Sequence, residues 1–183
     1  MGFPFLILGL ALWVAAHLFK RVAPERRAAL GDKGKGIVAV LLLVSLVLIV
    51  IGYRNTMQID LWYPPFWLTH LNNVLMLAAF YSFGIGASKG RHAQKIRHPQ
   101  LTAVKIWAVA HLIANGDLAS LLLFGTMLGW AVAEVVLINK AEGPWQKPTE
   151  IRPNGDIKNA VIAAVLYAIV AGIHVWLGVY PFG

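Results

Sequence analysis

Long apolar stretches alternate with short polar segments along the chain. A transmembrane helix needs about 20 apolar residues to cross about 30 Å of hydrocarbon, and about 17 is the practical minimum. Most of the stretches reach this length, but the fourth is short and carries Lys105. The pattern predicts an all-α fold, an integral membrane bundle of about six transmembrane helices. The predicted spans cover residues 3–19, 37–53, 66–87, 101–115, 118–138 and 157–179.

The fourth and fifth predicted spans are separated by only a few residues. At a rise of about 1.5 Å per residue, the two together are too long for one membrane helix. The tripeptide Asn115-Gly116-Asp117 between them is typical of a turn. We therefore predict that these two spans form a tight hairpin, with Asp117 as a candidate N-cap of the second helix.

Charged residues make up only 13% of the chain, and hydrophobic residues make up 58%. A soluble domain usually carries about 25% charged residues, so lipid is expected to cover most of this surface. The polar loops are too short to hold a second domain, which predicts one transmembrane domain over residues 1–183. Cysteine is absent, which excludes disulfides, cysteine metal sites and thiol nucleophiles.

The basic residues are distributed unevenly among the loops. Sixteen Lys and Arg against eight Asp and Glu give a formal charge of +8. Six basic residues lie in the first loop, four in the third and four in the fifth, and no basic helix face is available to meet nucleic acid. By the positive-inside rule these three loops are cytoplasmic, and both termini face the opposite side of the membrane.

Four histidines fall inside predicted spans: His17, His70, His111 and His174. Ionisable side chains within a membrane are costly and usually need a partner or a function. Neutral imidazole binds metals and haem iron through one nitrogen, so these residues are candidate ligands. A histidine near a helix end can instead sit at the interface or hydrogen-bond a neighbouring helix. His70 and His174, both expected near the outer face, are a candidate second site.

Helical spacing groups two of these histidines with aromatic residues. Trp107, His111 and Asn115 fall on one face of the predicted fourth helix, together with Val104. In the first span, Trp13 and His17 are four residues apart and share a face. An aromatic side chain beside a histidine can line a flat ring, although tryptophans in such positions are often simple packing residues.

Several short motifs together resemble the NnrU family. The resemblance extends over nearly the whole chain and includes the Gly52-Tyr53-Arg54 run and the histidine at the end of the first span. Its most specific part is the series Arg97-His98-Pro99-Gln100-Leu101, Trp107, Ala110-His111-Leu112, Asn115-Gly116-Asp117 and Ala119-Ser120.

The resemblance implies a location and a cofactor. NnrU proteins are associated with nitrite and nitric oxide respiration in denitrifying bacteria, which implies the bacterial inner membrane. In that membrane, the positive-inside rule predicts both termini on the periplasmic side. The family is similar to 15-cis-zeta-carotene isomerase, which uses haem b. That similarity implies haem iron held by His17 and His111, with His98 as a possible alternate ligand. The expected cofactor-binding residues are His17, His111, Trp13, Trp107 and Asn115.

Three functions follow as hypotheses. The first is redox-linked chemistry at a bis-histidine haem, either cis–trans isomerisation of an apolar polyene or a reaction of nitric oxide. The second is a cofactor-free membrane partner that helps assemble a respiratory complex. The third is a membrane methyltransferase using S-adenosylmethionine, because Arg97-His98-Pro99 resembles a motif of those enzymes. In them an aromatic residue commonly follows, whereas Gln100 follows here, which disfavours this hypothesis.

Overall fold

The computed structural model describes residues 1–182, and the architecture of these residues is helical. They form no β-strand, although an isolated antiparallel bridge pairs Asp60 with Asp117. A 3₁₀ turn covers Arg91–Gln94. The α-helices are α1 (Gly2–Val22), α2 (Pro24–Ala29), α3 (Lys33–Arg54), α4 (Trp67–Ser88), α5 (Pro99–Ala114), α6 (Leu118–Glu142) and α7 (Gly155–Trp176).

Five of these helices, α1, α3, α4, α6 and α7, are long and apolar enough to cross a membrane. This confirms the prediction of a helical, multi-pass membrane protein. The predicted fourth span corresponds to α5, which has 16 residues and is therefore about 24 Å long. It is short because Pro99 begins the helix and Asn115 leaves the helical conformation.

The predicted spans match the observed helices to within a few residues at each end. The first helix continues through Lys20 and Arg21, whose positive charges complement the negative end of the helix dipole. The short helix α2 was not predicted. Pro24 occupies its first position and Glu25 its first turn, and both are favourable at a helix N-terminus.

The chain forms two compact units, the first made of Met1–Trp62 and Gly116–Trp130. In this unit α1 and α3 approach closely at glycines. A Cβ added to Gly9 would lie 2.8 Å from the Ile49 nitrogen, and one added to Gly52 would lie 2.3 Å from the Leu6 nitrogen. Small residues at such crossings let backbones pack tightly, a common device in membrane helices.

The turn before α6 is held by hydrogen bonds to the segment after α3. The Gly116 carbonyl accepts from the Leu61 nitrogen at 2.7 Å, and the Leu118 nitrogen donates to the Ile59 oxygen at 2.9 Å. Asp117 caps α6 through both carboxylate oxygens, which accept from the Ser120 nitrogen at 2.9 Å and the Ser120 hydroxyl at 2.6 Å. The predicted turn and N-cap are therefore confirmed.

The second unit is made of Tyr63–Asn115 and Ala131–Gly183, and in it α4 packs against α5 and α7. The third and fifth loops, two of the three predicted cytoplasmic loops, meet at one end of this unit. His98 precedes α5 and contacts the last turns of α6, as expected for an antiparallel hairpin with a three-residue connection. Four contacts join residues 89–98 to the end of α6 and the fifth loop. They are an ion pair between Lys89 and Glu150 and hydrogen bonds from Gln94 Nε2 to Pro148 O at 3.0 Å, from Arg97 NH1 to Gly143 O at 2.7 Å, and between His98 Nε2 and Asn139 Oδ1 at 2.8 Å.

Candidate functional site

The second unit contains an apolar cleft bounded by α4, α5 and α7. Its volume is about 340 Å³, at the lower end of the range of about 300–1,000 Å³ that is usual for small-molecule sites. Two histidines from different helices line this otherwise mostly apolar space. The lining residues are Met76, Ala79, Phe80, Phe83, Ala103, Val104, Trp107, His111, Leu166, Val170 and His174.

Both histidines of the cleft are anchored in the same way. The Nδ1 atom of His111 lies 2.9 Å from the Trp107 carbonyl oxygen, and Nδ1 of His174 lies 2.8 Å from the Val170 carbonyl oxygen. A carbonyl oxygen can only accept, so Nδ1 must donate in each bond. In the neutral imidazole the lone pair is then on Nε2. This is the tautomer of a metal-binding histidine, oriented by a hydrogen bond at its other nitrogen.

The predicted face of the fourth span contributes directly to the cleft. Val104, Trp107 and His111 all line it, and the Trp107 and His111 rings are 5.5 Å apart at 54°. Asn115 lies at the end of α5, where its Nδ2 atom donates to the His111 carbonyl oxygen at 2.8 Å. That bond satisfies a carbonyl at the helix terminus. A role for Asn115 in cofactor binding stays a prediction.

In the first unit, His17 packs between two tryptophans. Its ring centroid is 4.3 Å from that of Trp13 and 4.5 Å from that of Trp130, and its Nδ1 lies 3.0 Å from the Trp13 carbonyl oxygen. His17 therefore has the same tautomer as His111. Trp130 is 113 positions away from His17 in the chain, and the helical spacing within α1 offered no signal for it.

The indole N–H groups of Trp13 and Trp130 are buried, and neither has a hydrogen-bond acceptor among the described residues. A buried donor without an acceptor costs about 1–3 kcal/mol. A bound group that offered an acceptor beside His17 would therefore be stabilised by them. This chemistry fits a cofactor that carries carboxylates on a flat ring, as haem does.

His17 and His111 belong to different units, so their pairing as ligands of one iron stays a prediction. Within residues 1–182, no group of three or more His, Cys, Asp or Glu side chains could by itself hold a metal ion. Any metal centre built on these histidines would thus need most of its ligands from a cofactor ring or from other donors.

The remaining histidines lie elsewhere. His98 has its Nε2 atom 2.8 Å from Asn139 Oδ1 and does not line the cleft, and its role as an alternate ligand stays a prediction. His70 is exposed, with its ring 5.2 Å from that of Phe66, and it is also not part of the cleft lining. The cleft therefore brings His174 together with His111, and the second site of His70 and His174 stays a prediction.

His92 takes part in a polar network that the sequence did not suggest. Its Nδ1 lies 2.7 Å from the Tyr81 hydroxyl and 3.1 Å from Asp156 Oδ1. Asp156 also accepts from the backbone nitrogens of Arg91 and His92, at 2.8 and 3.3 Å. The network joins α4, the 3₁₀ turn and the start of α7, so it holds the third loop in place beside the cleft-forming helices.

Fold and site together define a multi-pass helical membrane protein with an apolar, histidine-lined cleft. The family model described as NnrU protein matches residues 5–181 of the 183 residues, and the chain belongs to the NnrU family. This confirms the resemblance seen in the sequence motifs. No curated protein and no solved structure matches the chain.

Proposed function

We propose that this protein binds haem b within the membrane and that His111 is one of the axial ligands of the iron. The observation that carries the proposal is the apolar cleft in which the His111 imidazole is held by the Trp107 carbonyl, with its lone pair on Nε2. For the other axial position, the resemblance implies His17. The Nδ1 bond of His17 to the Trp13 carbonyl gives it the same tautomer.

The residues around these histidines fit such a group. The walls of the cleft supply the aromatic and aliphatic contacts that a porphyrin face requires, as at Phe80, Phe83 and Trp107. Helical bundles commonly hold cofactors in this way, between side chains of facing helices. Beside His17, the buried indole N–H groups of Trp13 and Trp130 could donate to the carboxylates of the ring.

When bound, haem b would supply a redox-active iron for chemistry on an apolar polyene or on nitric oxide. The protein's own contribution is to exclude water and to orient the ligand. The apolar lining keeps the site dry. The hydrogen bond from Nδ1 to the carbonyl oxygen fixes the orientation of the His111 ring and makes the Nε2 lone pair a stronger ligand for a metal. A cleft between membrane helices suits a substrate dissolved in lipid.

The proposed cellular context follows from the family and the charge pattern. We infer a location in the bacterial inner membrane, with the basic first, third and fifth loops in the cytoplasm and both termini in the periplasm. A role in nitrite or nitric oxide respiration, alone or with a respiratory complex, is part of the same proposal.

Optical spectroscopy of the purified protein tests the cofactor. The protein is expressed with added haem precursor and purified, and a reduced-minus-oxidised spectrum identifies the haem. A pyridine haemochrome assay should then give close to one haem b per chain. His111→Ala should lose most of the Soret absorbance, whereas His70→Ala, a histidine outside the cleft, should retain it. A wild-type protein without pigment would contradict the proposal, and co-purification with a respiratory oxidoreductase would then favour the assembly function.

A further inference from the structure

A second cavity lies at the end of the second unit where the third and fifth loops meet. Its volume is about 450 Å³, and its walls are the last turns of α4, the first turns of α7 and the residues that lead into α7. It shares no lining residue with the histidine cleft. Arg152 and Lys158 line it together with apolar side chains such as Ala87 and Ile162. We call this space the basic cavity.

The charge of the basic cavity is positive. Arg152 and Lys158 are its charged side chains, and no Asp or Glu lines it within the described part of the chain. The Lys158 ammonium forms no ion pair with any residue between 1 and 182. Arg152 donates to Glu150 through Nε at 3.3 Å, and that bond leaves its terminal Nη groups without a hydrogen bond to a described residue. The cavity therefore offers cationic donors to an anion.

The fold holds the walls of the basic cavity in place. The Arg152 nitrogen donates to the Lys89 oxygen at 2.8 Å, which ties the segment before α7 to the end of α4. A Cβ added to Gly155 would lie only 2.5 Å from the Ser88 oxygen, so the two helices touch at this point. The acidic residue of the first turn of α7, Asp156, does not line the cavity. The two cations are thus attached to a fixed frame.

The position of the basic cavity suits a molecule that is partly dissolved in lipid. Both α4 and α7 are long and apolar enough to span a membrane, and Lys158 is about 5 Å along the axis from the start of α7. The face of α7 that continues from Lys158 into the span is apolar and more than half exposed. It consists of Ile162, Val165 and Ile169.

We infer that the basic cavity binds the phosphate headgroup of an anionic phospholipid, whose acyl chains lie along this face of α7. Basic pockets between membrane helices are typical sites for such headgroups. A free phosphate ion would use the two cations alone, whereas a phospholipid would also cover the exposed apolar face beside them. The lipid belongs to the leaflet on the side of the third and fifth loops. This inference is independent of haem binding.

Native mass spectrometry of the full-length protein in detergent tests the charge of the site. The probes are phosphatidylglycerol and phosphatidylcholine with the same acyl chains, and wild type should bind phosphatidylglycerol more tightly. Arg152→Gln and Lys158→Gln should each weaken phosphatidylglycerol binding about fivefold and leave phosphatidylcholine binding unchanged. Lys158→Arg should retain the wild-type affinity. Equal affinity of wild type for the two lipids would overturn the inference.

Matched controls separate a site from diffuse surface charge. Lys33→Gln and Lys35→Gln remove exposed positive charges from the start of α3, outside the basic cavity, and should leave phosphatidylglycerol affinity unchanged. If they weaken it as much as Lys158→Gln does, the cations act only through the net charge, and the inference fails.

A variant that fills the cavity tests its shape without a change of charge. Ala87→Phe should weaken phosphatidylglycerol binding at least about fivefold at unchanged haem content. Ala160→Phe, at an exposed position of α7 outside the cavity lining, should not. Unchanged binding in Ala87→Phe would overturn the inference. Inorganic phosphate that raises the melting temperature of wild type as much as phosphatidylglycerol does would also overturn it, because the ligand would then be the free ion.

Discussion

The side-chain oxygen of Asn159 in α7 lies over Gly84 in α4, where an added Cβ would come within 1.9 Å of it. Asn159 is only 3% exposed, and its Nδ2 atom donates to the Tyr81 carbonyl oxygen at 2.8 Å. The crossing of α4 and α7 thus depends on a glycine that leaves room for a buried amide. These two helices form two of the three walls of the histidine cleft.

Gly84→Ala should destabilise this crossing. The new methyl group displaces Asn159, and the buried hydrogen bond to Tyr81 is then lost or strained. We expect a loss of about 1–3 kcal/mol in stability, seen as a lower melting temperature in detergent. Gly172→Ala in α7 is the matched control, because a Cβ there meets nothing within 4 Å. Equal melting temperatures for the two variants would contradict the role of Gly84.

Asp117→Ala should weaken the start of α6. It removes both acceptors of Ser120, and loss of an N-cap typically costs about 0.5–2 kcal/mol. Asp117→Asn retains a side-chain oxygen and is itself a preferred cap, so it should keep most of the stability. Denaturant unfolding in mild detergent measures the difference. If Asp117→Asn is as unstable as Asp117→Ala, the charge of Asp117 matters more than its capping geometry.

Asp156→Ala should release the third loop. The carboxylate accepts from the backbone nitrogens of Arg91 and His92, so its removal leaves these two donors without their partner. Hydrogen exchange at residues 91–94 should accelerate. Asp32→Ala removes only an exposed pair with Lys35 and should leave exchange in this segment unchanged. Unchanged exchange in both variants would show that other contacts hold the loop.

The ion pair between Lys89 and Glu150 should make a small, pH-dependent contribution to the stability of the protein. The hydrogen bond from Lys89 lowers the pKa of the Glu150 carboxyl below its usual value. Stability from this pair is therefore present above the carboxyl's unfolded pKa and is lost as pH falls through its lower, folded pKa. Glu150→Gln should be slightly less stable than wild type at neutral pH, and the two proteins should be equally stable in acid. A difference that persisted under acidic conditions would point to a cause other than the carboxylate charge.

The absence of cysteine makes a topology test simple. Single cysteines at Lys147, in the fifth loop, and at Tyr63, after α3, can be labelled with a membrane-impermeant maleimide in intact cells. Tyr63→Cys should react before lysis and Lys147→Cys only after it. The reverse pattern would invert the proposed orientation.

The lengths of the apolar stretches located the helices, and the residues typical of turns and caps located the hairpin and its N-cap. Both features depend on residues close together in the chain, which is why sequence reasoning reached them. The face formed by Val104, Trp107 and His111 is of the same kind, because a single helix period defines it.

Contacts between helices distant in the chain were harder to predict. The sequence did not suggest that His174 lines a cleft together with His111. The spacing within α7 shows which residues share a face, but it does not show which helix that face meets. The same limit applies to Trp130 beside His17. In the Asp156 network, the partners Tyr81 and Asp156 are 75 positions apart in the chain.

The shortness of α5 has a consequence for the surrounding bilayer. A helix of about 24 Å is several ångströms shorter than a typical hydrocarbon core, so its ends cannot both reach water without hydrophobic mismatch. Irregular backbone is tolerated at that depth only when the protein satisfies its polar groups. The turn after α5 meets this condition, because Leu61 and Trp62 both donate to the Gly116 carbonyl. The turn after α5 can therefore lie within the hydrocarbon layer, because hydrogen bonds from the protein replace those of water there, and the bilayer need not thin to match the short helix.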